Sequence, residues 1–330
     1  MMNDDSQSLT PDLSIIVPVH NEAANLAPLL QRLVPVLQSQ NSTYEIIFID
    51  DGSQDQSLNV LRELTQNYAH LRILSLSRNF GKEVALAAGL DHARGRAAIL
   101  MDADLQHPPE VIPQFLARWR EGYKNVYGVR TDRNADSPLR RYLTAQFYKI
   151  FENFGETILP QGAGDFRLLD EQAIMALRRM PERARFTKGL YAWIGFKSIG
   201  VPFLVEKRAH GSSSFSYSRL TRFAFDGLTS FSTLPLKIWT YIGALVSMFA
   251  IGMAVTVLVD TLLHGNDVPG YATIVISIMF FSGVQIISLG VLGEYIGRIF
   301  AEVKGRPLYL IAEEIGVESN HHHSPSAPRS

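Results

Sequence analysis

The sequence predicts an α/β domain built on a mixed, mainly parallel sheet with helices on both faces, followed by two transmembrane helices. Three observations carry that reading. Short apolar runs rich in β-branched residues alternate with helix-period patterns through the N-terminal part of the chain. Several of those runs end abruptly in polar, acidic turns. Further on, Ile238–Val259 and Pro269–Gly293 contain no charged residue.

The elements follow in order. Leu13–Pro18 (LSIIVP) is the first strand, closed by the polar turn His20–Glu22. Leu26, Leu29, Leu30 and Leu33 then recur at helical spacing. Tyr44–Ile49 (YEIIFI) is a second strand, broken by Asp50-Asp-Gly-Ser53. Leu58, Leu61 and Leu64 share one face of the next helix. Arg72–Leu76 is a third strand, Val84–Leu90 a helix, and Ala97–Met101 a fourth strand ending at Asp102-Ala-Asp104. Strands that are apolar throughout need cover on both faces, which points to a parallel sheet. Val126–Arg130 reads as a further strand, and Gly162-Ala-Gly-Asp165-Phe-Arg167 as a small-residue turn leading into another. Ligands of such sheets bind beyond the carboxyl ends of the strands. His20–Glu22, Asp50–Ser53 and Asp102–Gln106 therefore converge on one edge.

Composition narrows the function. The 330 residues carry a net charge of −1, which argues against nucleic acid as a partner, since phosphate backbones demand a basic excess. The absence of cysteine excludes disulfides, thiolate–metal sites and a cysteine nucleophile, and suits a reducing compartment. Residues 1–12 are polar and acidic, unlike a secretory signal, and read as a flexible tail. The end of the chain, with His321–His323 among Ser, Pro and Ala, reads as a polar tail.

The two charge-free runs are long enough to cross a hydrocarbon core, which takes ~20 helical residues. The link between them, His264–Gly270, holds no Lys or Arg, whereas Lys237 precedes the first run and Arg298, Lys304 and Arg306 follow the second. The positive-inside rule then puts both outer flanks, and the N-terminal domain, on the cytoplasmic side of the cytoplasmic membrane. The expected organisation is a catalytic domain over 13–233, spans at about 236–262 and 270–293, and a cytoplasmic tail over 294–330.

The chemistry concentrates at Asp102–Gln106. Asp102 and Asp104, one residue apart at a strand end, can aim both carboxylates to one side, where two hard oxygen ligands suit Mg²⁺ or Mn²⁺. Gln106 could add a carbonyl and His107 a nitrogen. A cation between paired carboxylates and a diphosphate is the arrangement that neutralises a nucleoside diphosphate leaving group. No Walker loop and no G-x-G-x-x-G follows the first strand, so neither a P-loop enzyme nor a dinucleotide oxidoreductase is expected.

PVHNE (18–22), IDDGS (49–53) and MDADLQHPPEV (101–111), in that order, resemble the GT-A (Rossmann-like) glycosyltransferases of family 2. The extended DADLQHPPEV string resembles the branch that contains dolichol-phosphate mannose synthase and the bactoprenol glucosyltransferases. The likeness covers about residues 13–215, and the two terminal spans resemble those of the GtrB-type bactoprenol glucosyltransferases.

The resemblance implies transfer of a hexose, glucose from UDP-glucose, to the phosphate of a polyprenyl phosphate lipid at the bilayer, with inversion. Mannose, N-acetylglucosamine and galactose are the alternative sugars, and a non-catalytic nucleotide-sugar scaffold is the alternative function. It further implies that Pro18, His20 and Glu22 line the base pocket, that Ile49 and Asp51 contact the base, and that Asp102 and Ala103 meet the ribose and diphosphate. Asp104 and Gln106 would bind the metal, with Asp102 beside them, directly or through water. Arg130 would face the phosphates. Arg208 and His210 fall on a loop resembling R-x-R-G-x-S that closes over the donor, His210 standing where the second Arg is expected. Ser137, Arg140 and Arg141 would take the lipid phosphate at a helix start. Asp165 would hold a sugar hydroxyl or act as a base. Helices near 138–155 and 215–233 would lie at the membrane surface. A homo-oligomer, a tetramer, is also implied. The Q-x-x-R-W string of processive polysaccharide synthases is missing from the chain.

Overall fold

The first strand, β1 (Leu13–Val19), shows how the sheet acquires two cores. Leu13, Ile15, Val17 and Val19 enter one buried cluster while Ile16 enters another, as the two-residue period of a strand requires. In this computed structural model the residues described are 10–131, 163–180, 182, 187–205 and 270–316, with scattered positions between 241 and 263.

β2 (Tyr44–Asp50), β3 (Leu71–Leu76) and β4 (Ala97–Leu100) join β1 in a parallel block. β5 (Asn125–Arg130), β6 (Ala163–Asp170), β7 (Ser198–Phe203) and β8 (Ile311–Ile315) extend it to eight strands in the order β7-β5-β6-β4-β1-β2-β3-β8. β6 runs antiparallel to both β4 and β5, and β8 runs antiparallel to β3. The sheet is therefore mixed and mainly parallel in its centre, as expected.

One face is covered by α1 (Ala23–Gln38), α2 (Ser57–Thr65) and α4 (Ile112–Arg120), whose Leu26, Leu30, Leu61 and Phe115 belong to the first cluster. The other is covered by α3 (Lys82–His92), α5 (Glu171–Arg178) and α6 (Thr187–Trp193), through Leu86, Ile174 and Leu190. α3 lies very close to the sheet: a Cβ on Gly89 would run into Ile16 Cγ2 and sit 2.8 Å from Ile49 Cδ1. Small residues on this helix (Ala85, Ala87, Ala88, Gly89) make that approach possible.

Two departures from expectation concern the C-terminal part. α7 (Tyr271–Val303) ends ten residues beyond the expected second span, and its stretch Phe280–Val303 is long and apolar enough to cross a membrane. It is the one such helix among the described residues. The other expected span, about 236–262, is described only at scattered positions, all helical, with Leu245, Met248 and Phe249 exposed. Residues 311–315, expected in a tail, form the edge strand β8 instead. Composition hid this strand, because Ile-Ala-Glu-Glu-Ile carries two charges. Those charges pair with the sheet: Glu314 Oε1 lies 3.0 Å from Arg72 Nη2, and Glu313 pairs with Arg62.

The expected helices near 138–155 and 215–233, and with them Ser137, Arg140, Arg141, Arg208 and His210, lie outside the described residues.

Candidate active site at the carboxyl edge of the sheet

β1, β2, β3 and β4 deliver their following turns to one edge, and β6 begins there because it runs the opposite way beside β4. The β1 and β2 turns are laced together. Asn21 takes a left-handed conformation (φ 57°), accepts from the N–H groups of Gln54 (2.8 Å) and Asp55 (3.3 Å), and donates its own N–H to Ser53 Oγ at 3.0 Å. Glu22 donates its N–H to Ser57 Oγ at 2.9 Å. His20 lies exposed between the turns, with Nδ1 3.0 Å from the Asp51 carbonyl and Asn79 Nδ2 3.1 Å from Nε2. Gly52 (φ 63°) permits the β2 turn, because a Cβ there would come 2.5 Å from the Arg78 backbone.

Asp51 is buried and turned to the backbone of the next loop. Its Oδ1 accepts from Phe80 N–H at 2.7 Å and its Oδ2 from Gly81 N–H at 2.9 Å. Gly81, at φ 98°, is the residue from which α3 starts. Asp51 thereby fixes where α3 begins. Ile49, read as a base contact, is fully buried under α3, so its side chain faces the core instead of the site. Pro18 pairs with Ile49 across β1 and β2 and is half-buried. Arg130 ends β5 at the same edge and is exposed.

The β4 turn is tightly built. His107 Nδ1 accepts the N–H of Asp102 at 3.0 Å, so that nitrogen is not turned outward as a ligand. Asp104 Oδ1 accepts the N–H of Gln106 at 3.1 Å. Leu105 between them sits at φ 62°, an uncommon place for a branched side chain and a mark of strain at a working site. Ala103 is buried beneath the turn.

Sequence reasoning missed the most charged part of the site. Lys82, the first residue of α3, places Nζ 2.7 Å from Asp102 Oδ1 and 2.9 Å from Asp165 Oδ2. Burial opposes its charge, but the two carboxylates outweigh that and raise its pKa. Asp165 lies within β6, not in a turn, and the same ammonium, aided by Lys188, depresses its pKa against the effect of burial. Its Oδ1 has no hydrogen-bond partner among the described residues. Glu83, beside Lys82, is pushed up to about 7 by burial and then by the Asp165 charge. Arg167 is buried, lies 3.6 Å over the Tyr191 ring and donates to the Gly164 carbonyl at 2.6 Å. The available signal was Asn79-Phe-Gly-Lys-Glu83: polar residues after a strand, at the edge already picked out.

Asp102 and Asp104 supply hard oxygens, which fit Mg²⁺ or Mn²⁺. Among the described residues no group of three or more His, Asp or Glu could hold an ion unaided. A cation here would complete its shell with water and substrate oxygens, the habit of Mg²⁺ at phosphate sites.

The mixed sheet places the paired carboxylates Asp102 and Asp104 just beyond the end of β4. Residues 14–180 match the model of Glycosyl transferase family 2, and residues 234–299 match that of the GtrB C-terminal hairpin. The chain belongs to glycosyl transferase family 2 and is a glycosyltransferase. It is 46% identical over 310 residues to an uncharacterized glycosyltransferase of Synechocystis sp., covering 94% of this chain and 98% of that one. It is 40% identical over 299 residues to an SfII prophage-derived bactoprenol glucosyl transferase of Shigella flexneri, covering 91% and 97%. A prophage bactoprenol glucosyl transferase homolog of Escherichia coli is 41% identical, covering 91% and 98%. Among solved structures, glucosyl-3-phosphoglycerate synthase from Mycobacterium tuberculosis aligns with a TM-score of 0.46 at 17% identity, over 66% of this chain and 79% of its own.

Proposed function

We propose that this enzyme transfers glucose from UDP-glucose to the phosphate of a polyprenyl phosphate, with inversion, at the cytoplasmic face of the cytoplasmic membrane. The observation that carries the reading is the near full-length match, at about 40% identity, to proteins named for bactoprenol glucosyl transfer. The carboxylate-rich edge and the apolar α7 fit a donor in the site and an acceptor in the bilayer.

His20, Glu22 and Asp51, with Pro18, border the base. Asp102 and Asp104, with Gln106, would hold Mg²⁺ or Mn²⁺, which would supply positive charge against a diphosphate leaving group. Arg130, with Arg208 and His210, faces the donor phosphates. Ser137, Arg140 and Arg141 hold the lipid phosphate, which is already anionic and needs no strong base to attack the anomeric carbon. Asp165 then orients a sugar hydroxyl, and Lys82 keeps it ionised. The partially described helix before 264 and α7 form a two-helix anchor with both chain ends in the cytoplasm, and copies associate as a homo-oligomer, a tetramer.

The test is transfer of labelled glucose from UDP-glucose to undecaprenyl phosphate by full-length protein in detergent with Mn²⁺. Labelled lipid that vanishes with EDTA and with Asp104→Asn is expected. Labelled lipid from a different nucleotide-sugar only would correct the sugar. Donor binding without lipid product from any nucleotide-sugar would overturn the reading in favour of a scaffold.

A further inference from the structure

Lys82 stands between two carboxylates that arrive from different strands. Its backbone is fixed, because Asp51 holds the N–H groups of Phe80 and Gly81 immediately before it. Its side chain is the adjustable part: four methylenes, 41% exposed, ending in the ammonium shared by Asp102 and Asp165. Asp102 is also the carboxylate that the proposed function gives to the divalent cation. One Asp102 oxygen, Oδ1, is taken by the ammonium at 2.7 Å. A divalent cation entering beside it meets a positive charge, whereas a diphosphate entering with the cation brings negative charge that can take up the displaced ammonium.

We propose that Lys82 is a resident counter-cation that holds Asp102 until donor arrives, so that the divalent cation binds weakly alone and tightly with the nucleotide diphosphate. This rests on the reading of Asp102 and Asp104 as metal ligands. It makes Lys82 a positioning residue that moves between two partners: Asp102 in the empty site and the diphosphate in the loaded one, with Asp165 alongside in both. The consequence is order of binding. Free cation does not occupy the acidic pair, and metal and nucleotide enter together.

The experiment is Mn²⁺ titration of full-length protein in detergent, followed by loss of the free-ion EPR signal, with and without UDP. Lys82→Met should bind Mn²⁺ without UDP about tenfold or more tightly than wild type, the effect of losing one nearby cation in a partly exposed site. UDP should tighten Mn²⁺ binding strongly in wild type and far less in the variant. Lys82→Arg, which keeps the charge, should behave as wild type. Should Lys82→Met fail to fold by circular dichroism, Asp165→Asn gives the complementary arm. With one carboxylate neutralised, the ammonium rests on Asp102 alone, and Mn²⁺ without UDP should bind more weakly than in wild type. Wild type that binds Mn²⁺ with UDP, next to a Lys82→Met protein no tighter than wild type without it, overturns this inference alone. Absence of Mn²⁺ binding in every protein, with UDP present, overturns the metal reading and this inference with it.

Discussion

His107 and Asp102 are joined through the backbone: the imidazole Nδ1 accepts the Asp102 N–H at 3.0 Å, from a ring that is 3% exposed. The ring stacks on Phe166 with centroids 4.9 Å apart and planes 9° apart. An Nδ1 that accepts an N–H carries no proton, and burial, which lowers the pKa of His107, keeps it that way.

His107 is thus a strut under the acidic turn. Removing a group that orients a metal-ligand segment typically costs 10–100-fold. His107→Ala should lower kcat/KM by about that factor and raise the Mn²⁺ needed for half-maximal activity. His107→Asn, whose Oδ1 can accept in place of Nδ1, should recover much of the loss. The pH dependence follows from the lowered pKa. Neutral His107 stabilises the fold fully above the unfolded value of ~6.5, and that contribution is lost as pH falls through the lower folded value. Thermal melts of wild type and His107→Asn between pH 5 and 8 should diverge only at the acid end. Parallel curves would count against this role.

Asp51 spends both oxygens on backbone amides, Phe80 at 2.7 Å and Gly81 at 2.9 Å. Asp51→Asn replaces one acceptor by an NH₂ facing an N–H. The buried amide left unpaired should cost about 1–3 kcal/mol, read as a lower melting temperature. Activity should fall further than that loss of folded protein explains, because the start of α3, and Lys82 with it, shifts. Full activity per folded molecule would show that Asp51 serves stability alone.

The parallel block β1–β4 was legible because each strand is mostly apolar and ends in a polar turn, a pattern that local sequence carries by itself. The acidic β4 turn was legible for the same reason. β8 was not, since its two glutamates are satisfied by Arg62 and Arg72, far away in sequence. Lys82 was not, since its partners Asp102 and Asp165 become neighbours only when α3, β4 and β6 meet. The side chain of Ile49 was not legible either: its place in IDDGS suggests the site, but the pleat turns the side chain under α3. Asp165 was placed in a turn because Gly162–Gly164 looked like one, whereas pairing with β4 and β5 makes strand from Ala163 onward.

Glu83 supplies a second pH effect of opposite sign. Burial, reinforced by Asp165, raises its carboxyl to about 7 in the folded protein, against ~4.3 in an unfolded chain. The folded state therefore favours the protonated form, and stability is lost as pH rises between those two values. Glu83→Gln, always neutral, should melt at least ~3 °C above wild type at pH 8 and at the same temperature at pH 4. A variant less stable than wild type at pH 8 would mean that the Glu83 charge is paired more strongly than its surroundings indicate.

Arg72 ties the returning C-terminal strand to the end of the sheet opposite the site. Its guanidinium lies 2.7 Å from Glu45 and 3.0 Å from Glu314, and also donates to the His92 carbonyl at 3.1 Å. Glu45 in turn accepts from Ser14 Oγ (2.6 Å) and Arg94 N–H (2.7 Å). Arg72 and Glu45 are both buried, whereas the Glu314 side chain is 35% exposed. Arg72→Ala should therefore cost about 3–5 kcal/mol, since it strands a buried carboxylate. Glu314→Ala should cost no more than ~1 kcal/mol, the scale of an exposed pair. The two variants separate the roles of the network. If β8 were held mainly by its ion pairs, Glu314→Ala would free it and expose the β3 edge to protease. If ladder hydrogen bonds and the packing of Ile311 and Ile315 hold it, as the partners of those residues in the two cores indicate, only Arg72→Ala should do so. Limited proteolysis of the detergent-solubilised protein, followed at residues 304–316, distinguishes them. Cleavage in Glu314→Ala at the rate seen in Arg72→Ala would assign the docking of β8 to charge.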